Sequence, residues 1–274
     1  MLQARERDRI YDFAYLQDWQ QKLDELEEMA IIEQWSFKNP RPDLKNIKNP
    51  ILHNYITHTL SRLEYERKTA TSQEEKNKKI YIVDNQIACF NTGLFTKNYR
   101  YIYAYFEKNP IPNQQPWILR AFLPQHSLRN VYPFPARAKY FNDISDLIYD
   151  TDVELVPNLD HILDDEENKN RIPERIREAG NRSMIFDGAI ELAKKKIEAN
   201  YKTAIPQYFR GKIQFLIPLC LDIENPENVD LALAVEKMDV NGHKFYRGNT
   251  CITLEMSYNN ARLLAKIDSD WLRV

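Results

Sequence analysis

The 274 residues carry 38 Lys and Arg against 40 Asp and Glu, a formal charge of −2, so no whole-molecule field draws the chain onto nucleic acid or an anionic membrane, and any such contact has to be a local patch. With 43% hydrophobic and 28% charged residues the composition is globular and excludes global disorder, and 6 glycines beside 16 Tyr and 12 Phe argue against a glycine-rich nucleotide cradle. No stretch approaches the ~18 apolar residues of a membrane span and no secretion signal is evident, so a cytoplasmic protein without a membrane partner is expected.

Trp19, Leu23, Leu26 and Ala30 recur at helical spacing, with Asp18 and Gln21 placed for a capping box, which predicts an amphipathic helix. The proline-punctuated stretch from Asn39 to Pro50 breaks it. Asn49-Pro50 starts a second helix whose inner face is Leu52, Tyr55, Thr59 and Leu63. Glu64 to Lys79 is charged and without apolar period, which reads as an exposed linker. Strands are expected at Ile80–Val83 and Ile87–Phe90 around an Asp84-Asn85 turn, then at Tyr101–Phe106 and Trp117–Phe122, before an irregular loop from Pro124 to Pro135.

Phe186, Ala189 or Ile190, Ala193 and Ile197 then mark a helix ending near Asn200. Ile213–Leu221 and Val229–Val235 read as strands, and Asn241-Gly242 as a tight turn before a strand from Cys251 to Met256. Ser257 is placed to cap a final helix with Ala261, Leu263 and Leu264 inward, and Trp271 to pin the terminus. Cys89, Cys220 and Cys251 lie in apolar stretches and read as buried thiols rather than a disulfide or zinc framework. The expected class is α+β: a largely antiparallel sheet with flanking helices and an N-terminal helical layer. Residues 1–70 would form that layer and 79–274 the body, fused into one domain.

Three stretches could carry chemistry. Between Lys194 and Lys212, the cations Lys194, Lys195, Lys196, Lys202, Arg210 and Lys212 face only Glu198, with Tyr201, Tyr208 and Phe209 interleaved. Rings that stack on bases beside cations that meet phosphates are how single strands and nucleotides are held. A solvated helix face is the plainer reading of Lys194 to Lys196. In Tyr258-Asn259-Asn260-Ala261-Arg262, amides could read a base edge and Arg262 grip a phosphate, although Asn is also an ordinary capping residue and Arg262 could pair with Asp268. Asn91-Thr92-Gly93 could present a hydroxyl and amides to a phosphate, or be a turn in which Gly93 supplies a positive φ.

Other combinations carry less. On a helix His53 and His58 point about 140° apart and cannot share an ion. Asp160, His161, Asp164 and Asp165 have spacings compatible with Mg²⁺ but run on into Glu166 and Glu167 like a solvated helix start. No serine lies in a nucleophile elbow. No metal site is therefore assigned, and the cofactor is unknown.

At Ala88-Cys-Phe-Asn-Thr-Gly-Leu94, Asn200-Tyr-Lys-Thr-Ala-Ile-Pro-Gln-Tyr208 and Met256-Ser-Tyr-Asn-Asn-Ala-Arg-Leu-Leu264, followed by Asp268-Ser-Asp-Trp-Leu272, the chain resembles the bacterial domain of unknown function 3825 family. The resemblance covers nearly the whole chain. It implies no established activity, but members are linked with RNA-binding modules, which points by association to RNA or nucleotide handling. The shared polar residues are Asn91, Asn200, Lys202, Gln207, Tyr208, Asn259, Asn260, Arg262 and Asp268.

The expectation is an RNA- or nucleotide-binding domain, extending to phosphoester processing. Asn91, Thr92, Asn200, Tyr201, Lys202, Gln207, Tyr208, Asn259, Asn260, Arg262 and Asp268 form the candidate site. Two other classes stand beside it. One is a protein-interaction adaptor without catalysis, docking a partner through the N-terminal helices and Tyr99 to Tyr105. The other is a metal-dependent hydrolase using Asp160, Asp164 or Asp268.

Overall fold

The computed structural model describes residues 9–38, 48–222 and 224–274. The chain divides into two compact units, Met1–Lys139 and Tyr140–Val274. Each combines helices with one five-stranded mixed sheet, so the class is α+β. The N-terminal helices pack with the first sheet and belong to the same compact body.

In unit 1, α1 (Arg9–Phe13) leads into β1 (Ala14–Tyr15) and α2 (Trp19–Met29). Leu23 and Leu26 of α2 are fully buried, as their spacing requires. The capping box is absent. Asp18 sits in the left-handed region at φ 51° and its carboxylate caps nothing, whereas an N-cap normally holds an extended backbone to aim its oxygen at the first free N–H groups. The helix break expected over 39–50 lies outside the described residues as far as position 47.

Helix α3 (Pro50–Thr69) begins on Asn49-Pro50 as expected, with Leu52, Tyr55, Thr59 and Leu63 buried. It then continues two turns into the supposed linker, and α4 (Gln73–Asn77) follows with a capping box of Ser72 and Glu75. Charge pairing replaces apolar period there. Glu66 Oε1 accepts from Arg62 Nε at 3.0 Å and from the Lys139 backbone N–H at 2.7 Å, and Oε2 accepts from Lys79 Nζ at 2.7 Å.

The first sheet runs β1-β5-β4-β3-β2, with β2 (Ile80–Val83), β3 (Ile87–Phe95), β4 (Tyr101–Lys108) and β5 (Trp117–Pro124) antiparallel and β1 parallel to β5. Asp84 and Asn85, at φ 47° and 52°, close the β2–β3 hairpin with the backbone such turns need. Side chains alternate along β4. Ile102, Ala104 and Phe106 are fully buried, and Phe106 stacks on Phe90 with centroids 5.7 Å apart. The opposite face places Tyr101, Tyr103 and Tyr105 around Cys89, Leu128 and Val131.

In unit 2 the sheet order is β6-β10-β9-β8-β7: β6 (Glu154–Pro157), β7 (Ile205–Phe209), β8 (Lys212–Leu219), β9 (Leu231–Val240) and β10 (His243–Ile252), antiparallel except for β6 on β10. After three short helices, α5 (Leu159–Asp164), α6 (Glu166–Lys169) and α7 (Glu174–Arg177), comes α8 (Arg182–Ala199). The predicted apolar stripe of α8, from Phe186 to Ile197, packs into a core with Phe215, Ile217, Leu233 and Tyr246. The expected strand from Cys251 to Met256 is corrected: β10 stops at Ile252 and α9 (Leu254–Arg262) follows at once. Thr253, extended at φ −68° and ψ 161°, caps it by accepting from the Met256 N–H at 3.3 Å. Ser257 is one turn inside the helix and spends its hydroxyl on the Thr253 carbonyl at 2.8 Å.

Candidate functional site

Asn91 and Thr92 lie in unit 1, inside β3 rather than in a turn. The pairing with β4 shifts register between Asn91 and Phe95, and Gly93 takes φ +77° within that bulge. Both side chains serve the backbone. Asn91 Oδ1 accepts from the Gly93 N–H at 2.9 Å, and Thr92 Oγ1 donates to the Ile102 carbonyl at 2.7 Å while accepting from the Leu94 N–H at 3.2 Å. A Cβ at Gly93 would stand 2.6 Å from Tyr55 Oη, so any other residue has to displace that hydroxyl as well as hold a positive φ.

In unit 2, Asn200 ends α8 and its Oδ1 accepts from the Lys202 N–H at 3.1 Å, forming a single 3₁₀ turn over Tyr201–Thr203. The tail returns to the same place, where Trp271 Nε1–H donates to the Thr203 carbonyl at 2.9 Å. Tyr201, 56% exposed, and Lys202 project to solvent from this turn, and Asp268 on the tail is exposed as well.

The next strand, β7, lies within the basic and aromatic stretch and was not foreseen. Its Gln207 is buried and belongs to a directional ladder. Asn260 Nδ2 of α9 donates to Gln207 Oε1 at 3.0 Å, Gln207 Nε2 to Gln214 Oε1 at 3.0 Å, and Gln214 Nε2 to Glu236 Oε2 at 3.4 Å. Lys212 Nζ closes the ladder on Glu236 Oε1. Each donation aims the next amide, so the carboxylate at one end sets the orientation of Asn260 at the other. Gln214 and Glu236 were missed, although Gln214 stands directly opposite Gln207 once β7 and β8 are paired.

Tyr208 is buried edge-on against Tyr140 with centroids 4.7 Å apart, and Arg262 is only 6% exposed. Asn259 Oδ1 is enclosed without a hydrogen-bond donor among the described residues. The structure thus joins Asn200, Tyr201 and Lys202 to the C-terminal tail, and Gln207 to Asn260.

The acidic stretch is used locally. Asn158 Oδ1 accepts from the His161 N–H at 3.4 Å, Asp165 Oδ1 caps α6 on the Asn168 N–H at 3.0 Å, and Asp164 pairs with Arg182 at 3.4 Å. Among the described residues no three His, Cys, Asp or Glu side chains are grouped to hold a metal ion, and no helix is long and apolar enough to cross a membrane. A family model described as Domain of unknown function (DUF3825) matches residues 26–271. No curated protein and no solved structure matches.

Proposed function

The chain belongs to the DUF3825 family, and from that footing we propose that it binds RNA or a nucleotide through the exposed turn of unit 2. One observation carries this reading: Tyr201 and Lys202 are both exposed on one short turn, fastened at one end by Asn200 and at the other by Trp271. A ring for a base and a cation for its phosphate, on a backbone already fixed, lose little entropy on binding. The ladder from Asn260 to Glu236 supports the same reading by stiffening β7, which follows the turn directly. Phosphoester processing is the further step of this proposal, with Asp268 as the exposed carboxylate on the adjoining tail.

The test is fluorescence anisotropy of 5′-labelled decauridylate, alongside calorimetry with mononucleotides. Tyr201→Ala and Lys202→Ala should each weaken binding about fivefold or more while leaving the denaturation midpoint close to wild type, since both residues are exposed. Wild-type affinity in both variants would end this reading.

A further inference from the structure

Unit 1 presents a second surface of the same physical kind, with no need of the turn in unit 2. On the sheet face that carries Tyr101 and Tyr103, six rings form a continuous series. Tyr132 lies 6.4 Å from Phe134, Phe134 5.8 Å from Tyr103, Tyr103 6.5 Å from Tyr101, Tyr101 4.6 Å from Phe95, and Phe95 6.3 Å from Tyr99. All are at the spacing of interacting aromatic rings. The middle of the series is explained by the core, since Tyr103 is 2% exposed. The ends are not, since Tyr132 is 81% and Tyr99 74% exposed.

Charge chooses the occupant. Residues 85–139 hold seven Lys and Arg against one carboxylate, Glu107, and that carboxylate already accepts from Arg120 Nε at 2.8 Å. Lys97 and Arg100 flank Tyr99, while Arg129 and Arg137 flank the Tyr132–Phe134 pair. All four are exposed, and none has an ion-pair partner among the described residues. A protein interface also accepts Tyr and Arg, with charge kept to its rim, whereas a duplex keeps its base faces stacked on one another. Exposed rings at both ends of an aromatic series, beside unquenched cations, suit bases that are free to stack and phosphates that need neutralising. We infer that this face of unit 1 binds single-stranded nucleic acid, with bases on Tyr132 and Tyr99 and phosphates on Arg129 and Arg100.

The experiment is titration of the full chain with labelled decauridylate across a salt series, repeated with a duplex of equal length. Tyr99→Ala/Tyr132→Ala should lose affinity roughly tenfold or more. Arg100→Glu/Arg129→Glu should weaken binding and flatten the salt dependence by at least about 0.7 in log–log slope for each phosphate no longer neutralised. All four positions are exposed, so circular dichroism and the denaturation midpoint should match wild type. Four results would overturn the inference: no binding of decauridylate by the wild-type chain; wild-type affinity in both double variants; duplex bound as tightly as single strand; or loss, in the ring variant, of a stoichiometric nuclease-resistant protein with decauridylate binding untouched. A Lys202→Ala defect with both double variants unaffected would place binding on the turn of unit 2 and remove it from this face.

Discussion

Two stretches of this chain are dense in rings and cations, 194–212 in unit 2 and 85–139 in unit 1, and the structure treats their charges differently. In the first, Lys194 holds Glu191 at 2.6 Å, Lys196 reaches Glu227 at 3.8 Å, and Lys212 is taken by Glu236. In the second, Lys97, Arg100, Arg129 and Arg137 keep no such partner among the described residues. A helical neighbour three positions back, or an acid across a β ladder, cancels a cation that looks unopposed in a linear window. A field is legible only after the acids have been placed.

The severest way to break this contrast is Gly93→Ala. The new Cβ would meet Tyr55 Oη at 2.6 Å on a backbone at φ +77°, which should cost unit 1 about 3 kcal/mol in urea denaturation. The bulge lies beside Asn91, which pairs with Tyr103, so decauridylate affinity should fall with stability, and Tyr55→Phe added to Gly93→Ala should recover part of both. Full stability in Gly93→Ala would mean that the close approach is not rigid.

A smaller effect belongs to unit 2. Gln207→Ala strands the buried Asn260 donor and the half-buried Gln214 acceptor, and leaving a buried donor unpaired costs about 2 kcal/mol. If the ladder is framework, unfolding shifts and decauridylate binding persists. If binding disappears without a stability change, the amides are reading the ligand, and unit 2 regains the larger share.

The mildest probe sharpens the comparison by reporting how tightly each unit closes. Burial pushes the Cys251 thiol up to about 12 and raises Cys89 as well. It also raises Cys220, there opposed by Lys196 Nζ at 3.7 Å from the sulfur. With Ellman's reagent at pH 8, Cys220 should therefore react before the other two. The unfolded chain gives up thiol protons first, so stability from these groups is whole below about pH 9 and declines as pH rises toward 12. Equal rates for all three thiols at pH 8 would show that the cores open together.

Much of the fold could be read in advance wherever one face of an element is apolar. Leu23 and Leu26, the stripe from Phe186 to Ile197 and the hairpin at Asp84-Asn85 are where periodicity and turn chemistry placed them. Reading failed where a carboxylate does the work of a hydrophobe: α3 runs through Glu64 to Thr69 because Glu66 gathers three donors, two of them far along the chain. It failed again at Ile205–Phe209, where Pro206 and Gln207 look unlike a strand: β7 lies at the edge of its sheet, where a proline costs no ladder bond, and Gln214 and Asn260 supply the partners of Gln207. The candidate site was legible as residue types but not as geometry. Asn200 and Asn260 were picked out for ligands, and their side chains hold the Lys202 N–H and Gln207. Tyr132 and Arg129 went unremarked because they sit in a proline-rich loop with no period to announce them.

Glu66 also acts as a buckle. It draws the last residue of unit 1 back to the final turn of α3, joining places 73 positions apart through the Lys139 amide. A fragment cut one residue earlier would forfeit that amide, whereas one ending just after Lys139 keeps the clasp shut. Tension arriving at the boundary from the C-terminal side is delivered first to a helix and only afterwards to the strands.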